Sequence, residues 1–127
     1  MSYNITWKPG GVIWTFYGTL TGQDGVKANL EIYGDPRFDD LRYGIVDLSS
    51  VKQHVLSDDD VEAAAALDAA ATINNRRLII AIVASENESV KFAETYKIAM
   101  SDTTWTVEIF KSMQDAEDWV RLAFDRE

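Results

Sequence analysis

A chain of 127 residues, 46% of them apolar and with four Trp, five Tyr and five Phe, is long enough to bury one hydrophobic core and too apolar to stay disordered. Its net charge of −9 sets long-range electrostatics against nucleic acid or an anionic membrane as the main partner. The lack of cysteine excludes disulfides, iron–sulfur ligation and thiol nucleophiles, and a single histidine, His54, speaks against a multi-histidine metal site or a histidine relay.

Taken in chain order, Tyr3–Lys8 alternates crudely and Val12–Gly18 is β-branched and aromatic. Pro9-Gly10-Gly11 between them is turn chemistry, so the chain should open with an antiparallel hairpin. Alternation puts Trp14 and Phe16 on one face of that hairpin and Tyr17 on the other. A helix is expected from Gly22 to Tyr33, with Val26, Leu30 and Tyr33 sharing a face and Asn29 beside them, stopped by Gly34-Asp35-Pro36. Leu41–Leu48 reads as a buried strand, and the residues after it as a loop. Asp58–Asn74 is the longest predicted helix. Leu78–Ala84 is nearly all apolar, as a central strand covered on both faces should be. Asn87–Met100 is predicted helical, with Phe92, Ala93, Tyr96 and Met100 facing the core. Thr103–Phe110 is the last predicted strand. Met113–Phe124 is the last helix, with Met113, Ala116, Trp119, Val120 and Phe124 on one side.

Each predicted helix is preceded by Ser or Thr with an acid three residues on: Thr21/Asp24, Ser57/Asp60, Ser85/Glu88 and Ser112/Asp115. The hydroxyl can satisfy an orphan amide of the first turn, and the acid complements the positive end of the helix dipole. The order is therefore ββαβαβαβα. Its alternating part requires crossovers between parallel strands, giving a single α/β domain over residues 1–127 with a mixed, mostly parallel sheet.

This order, together with IVDLSSV at Ile45–Val51, resembles the SpoIIAA-like or STAS fold of anti-sigma-factor antagonists, and within it a STAS/Sec14-like branch. The resemblance spans about Tyr3 to Phe124. It implies a domain that acts by protein contact. In the regulatory members, a kinase phosphorylates a serine in an Asp-Ser-Ser-Gly-like turn after this strand. Here the corresponding stretch, VKQHVLSDDDVEA, has neither Ser-Ser nor Gly, and no glycine follows Gly44. Ser57 is the nearest positional match, but its following aspartates would repel an added phosphate.

The candidate residues each carry a bland reading beside the functional one. Ser57 is a helix cap or a phosphoacceptor. Asp58, Asp59, Asp60 and Glu62 form a solvated helix start, since they lack the alternating acids and central glycine of a calcium loop. Asp47, at the expected end of a buried strand, faces a crevice or caps loop amides, with Ser49 close by. His54 is a general base or an exposed loop residue. Asp39 and Asp40 read as a solvated loop. No phosphate-binding, dinucleotide-binding, serine-hydrolase or zinc-protease motif occurs. The expectation is a non-enzymatic protein-interaction module, with no catalytic residue, metal or cofactor, binding through Asp47, Ser49, His54, Ser57 and Asp58. The alternative is a module for a small apolar ligand or lipid, which the aromatic inventory permits. An enzyme working through Asp47 or His54 comes last. The N-terminus lacks a basic region followed by an apolar run, and no stretch approaches the roughly 20 apolar residues of a membrane span. A cytoplasmic protein is therefore expected, and the edge hairpin offers a route to a homodimer.

Overall fold

A computed structural model describes residues 2–125. Five strands, β1 (Tyr3–Lys8), β2 (Gly11–Thr21), β3 (Tyr43–Val55), β4 (Ile79–Val83) and β5 (Thr106–Phe110), form one sheet in the order β1-β2-β3-β4-β5. The helices are α1 (Gly22–Tyr33), α2 (Asp58–Ala71), α3 (Asn87–Ala99) and α4 (Met113–Asp125), with a 3-10 turn at Pro36–Asp40. β1 pairs antiparallel with β2, and the remaining neighbours are parallel. This is the expected ββαβαβαβα architecture.

Strand order fixes where the helices go. From β2 to β5 the sheet grows in one direction, so crossovers of one hand deliver α1, α2 and α3 to the same face. There Ala28, Ile32, Ala65, Ala71, Ala93 and Met100 pack on Val12, Trp14, Phe16, Leu48, Ile80 and Ile82. The opposite face is covered by α4, whose Ala116 and Val120 bury against Ile45, Ala81 and Val83 with Met113 and Trp119 at the margin. The expected inner stripes of α3 and α4 are thus observed, except that the side chain of Phe124 lies outside the described residues. In α1 the buried positions are Ala28 and Ile32, whereas Leu30 is exposed. Of the face expected from Val26, Leu30 and Tyr33, Tyr33 packs against the core and Leu30 points to solvent; small Ala28 sits against the sheet, where Trp14 Nε1 donates to its carbonyl at 3.3 Å.

Two strands are longer than their apolar runs. β2 continues to Thr21 and β3 to Val55, paired from Tyr17↔Ser50 to Thr21↔Val55 across register shifts near Thr15 and Gly18. Gly18 supplies a positive φ of 68° at this irregularity. Beyond Val51 the extension alternates poorly and is largely exposed, so hydrophobic pattern alone reads it as loop.

Of the four expected helix caps, three form. Thr21 Oγ1, Ser57 Oγ and Ser112 Oγ accept from the amides of Asp24, Asp60 and Asp115 at 3.2, 3.1 and 3.1 Å. The fourth does not: α3 begins at Asn87 as expected, but its N-cap is Glu86 instead of Ser85, and no side chain caps it. The Glu88 carboxylate lies instead beside His54.

Candidate functional site

The structure disperses the residues singled out in the sequence. Asp47 sits within β3, not at its end, and its Oδ1 accepts from the amide of Ser49 at 3.0 Å and from Ser49 Oγ at 2.6 Å. With strand order running in one direction, no topological switch point opens a crevice beside it. Ser57 and Asp60 form a complete capping box, Asp60 Oδ2 accepting the Ser57 amide at 3.0 Å. Asp58 is exposed at the same helix start.

His54 departs furthest from expectation. It lies on β3, and its side chain is 3% exposed. Its Nε2 is 2.6 Å from Ser89 Oγ, and its Nδ1 is 3.4 Å from Glu88 Oε2. The order Ser–His–Glu has the connectivity of a nucleophilic triad. Yet Ser89 is 2% exposed, inside the first turn of α3, where a substrate carbonyl cannot reach it. The arrangement acts as a clasp holding the extension of β3 to α3.

A second cluster lies between the sheet and α1, α2 and α3. Val61, Ala65, Asp68 and Ala71 form the buried stripe of α2, so a carboxylate occupies a core position. Asp68 Oδ1 accepts from Asn29 Nδ2 at 2.9 Å and from the Tyr33 hydroxyl, both on α1, and Oδ2 accepts from the Tyr96 hydroxyl of α3. Asp68 therefore ties three helices together. Removal from water pushes its pKa up to about 6, although the two tyrosine hydrogen bonds favour the ionised form. Burial beside this carboxylate likewise raises both phenols well above their ordinary range, so Tyr33 and Tyr96 keep their protons.

These four residues form one pole of a cavity of about 140 Å³. The rest of its wall is mostly apolar and aromatic, Trp14, Phe16, Leu48, Ile82, Phe92 and Trp105 among others, with Thr21 and Asp60 as further polar members. Gly25 of α1 also lines it, and a side chain at Gly25 would meet nothing within 4 Å. Gly44 of β3 sits under Trp14, where a Cβ would lie 2.7 Å from the indole, so this glycine lets the tryptophan lie flat against the sheet as part of the cavity wall.

Sequence reasoning placed Asn29, Tyr33 and Tyr96 on inner helix faces but did not connect them, and it passed over Asp68. The signal was present, since Asp68 falls seven residues after Val61 on the α2 stripe. An alanine-rich helix with low amphipathic contrast concealed it.

Sheet, crossover face and α4 together define a SpoIIAA-like α/β fold carrying a cavity under its helices that is partly open to solvent. A solved structure that shares the fold is an uncharacterised protein of the DUF3478 family from Shewanella loihica PV-4, described as SpoIIAA-like. It is 16% identical, covers 93% of this chain and 91% of its own, and superposes with a TM-score of 0.55. No family model and no curated protein matches the sequence.

Proposed function

We propose that this protein is a small-molecule-binding module whose ligand occupies the cavity between the sheet and α1–α3. The observation that carries this reading is one buried carboxylate, held by two tyrosines and an asparagine, in the wall of a largely apolar cavity. Binding sites combine apolar walls with a few convergent polar groups and perturbed titratable residues, and all three are present. Volume sets the ligand class. An apolar protein cavity of roughly 150 Å³ holds one benzene, so about 140 Å³ suits a single-ring compound and is far too small for a two-chain lipid. The size therefore favours a small metabolite over the lipid alternative.

Protein contact through the Asp47–Asp60 surface is the competing reading, supported by the fold resemblance and by the exposure of Ser49, Ser57 and Asp58. It is weaker on geometry, because Asp47 is bonded to Ser49 and Ser57 to Asp60 within the chain.

The test is thermal unfolding in the presence of toluene for the wild type and for Ala64→Phe, which places a ring in the cavity. Ligand at about a hundredfold over its Kd should stabilise the wild type by about 2.7 kcal/mol. The filled variant should not respond. An unchanged wild-type midpoint at saturating toluene contradicts the proposal.

A further inference from the structure

The polar pole of the cavity has a one-sided hydrogen-bonding character. Tyr33 and Tyr96 each spend their hydroxyl proton on Asp68, which leaves both phenolic oxygens able only to accept. Asp68 is acceptor-only when ionised. Asn29 and Tyr33 both bond Oδ1, while Tyr96 is the partner of Oδ2 among the described residues, so Oδ2 retains acceptor capacity. Three acceptor oxygens thus converge from α1, α2 and α3 on a largely apolar space, whose second carboxylate, Asp60, is already engaged with the Ser57 amide.

The charge there is also uncompensated. All three groups that bond Asp68 are neutral, and among the described residues no Lys, Arg or His hydrogen-bonds or ion-pairs with it. Asp68 lies in the last turn of α2, where the helix dipole is unfavourable for an anion. Buried charges in proteins are ordinarily paired. The aromatic faces of Trp14, Phe16 and Phe92 line the same cavity, and such faces also attract cations. Net charge of −9 draws cations towards the protein and repels carboxylate ligands.

We infer that the ligand is a small primary amine on a single-ring or similarly compact apolar body, bound with its ammonium among Asp68, Tyr33 and Tyr96 and its hydrocarbon part against Trp14 and Phe92. A primary ammonium brings three N–H donors and one positive charge, which matches three acceptors and one carboxylate. An alcohol supplies one donor and no charge. A quaternary ammonium supplies charge and no donor. This inference rests on the cavity being a ligand site, and it adds the chemistry of the group at its polar end.

The experiment is calorimetric titration at about pH 8, where Asp68 is ionised, with benzylamine, benzyl alcohol, benzyltrimethylammonium and toluene as probes. Benzylamine should bind at least about tenfold more tightly than each of the other three. In Asp68→Asn that preference should vanish while toluene affinity is retained, which also shows that the variant is folded with its cavity open. Tyr96→Phe, which leaves the carboxylate in place, should weaken benzylamine by several-fold and leave toluene unchanged. If toluene and benzyl alcohol bind the wild type as tightly as benzylamine, the ammonium inference falls and the cavity remains a ligand site. If no probe binds, both fall.

Discussion

Two buried polar residues organise the interior in different ways. Asn75 is a structural pin: its Nδ2 donates to the carbonyls of Phe38 and Leu41 at 2.9 and 2.7 Å, and its own carbonyl accepts from Trp105 Nε1 at 2.6 Å. Asn75→Ala leaves the Leu41 carbonyl without a donor, while the Phe38 carbonyl keeps the Leu41 amide, and should cost about 1–3 kcal/mol in urea unfolding. Asp68 instead couples stability to pH. Its folded pKa of about 6 lies above the model-compound value of 3.8, so the folded state favours the protonated acid. The resulting stabilisation is fully present below the unfolded pKa and is lost as pH rises through about 6. The groups facing Asp68 are Tyr33 and Tyr96, which stay protonated, and neutral Asn29. Asp60 lies elsewhere on the cavity wall. Relative to Asp68→Asn, wild-type stability should therefore fall between about pH 4 and pH 8, by a difference on the order of 3 kcal/mol from the shift. Parallel pH dependence in the two proteins would show that Asp68 is not buried as an acid.

Helices were more legible than strands, for a physical reason. Helix starts leave orphan amides that a few residue types satisfy, so Thr21, Ser57 and Ser112 mark their boundaries locally. At α3 the start at Asn87 is as expected, but the Ser85/Glu88 cap is absent, and Glu88 has a tertiary role beside His54. Strand ends depend on distant pairing. The half of β3 from Ser49 to Val55 is held by β2 rather than by its own pattern, so it read as loop and carried the candidate residues His54 and Ser49 with it. If the capping box is what Ser57 does, Ser57→Ala should cost about 1 kcal/mol in stability. It should leave toluene binding unchanged, because Ser57 does not line the cavity. A loss of binding at preserved stability would instead implicate that surface in recognition.

At the scale of the whole molecule, one topological fact shapes the rest. A parallel sheet that grows in a single direction places three helices on one face and removes the strand-end crevice of doubly wound sheets. That crossover face can hold a site between the sheet and those helices. The cavity, with polar groups on α1, α2 and α3, is found there. The ββαβαβαβα order and its mixed sheet could be read from apolar runs, turns and caps. The site could not, because Asn29, Tyr33, Asp68 and Tyr96 meet only through tertiary packing, at separations of 28 to 39 residues from Asp68. No helix among the described residues is long and apolar enough to cross a membrane.

The most direct measurement is an isotope-filtered nuclear Overhauser experiment on the labelled wild-type protein with unlabelled toluene. Contacts from toluene protons to Trp14, Leu48, Ile82 and Phe92 place the ligand in the cavity and are the predicted result. Contacts confined to surface residues, or none at saturating toluene, would contradict a ligand site between the sheet and α1–α3.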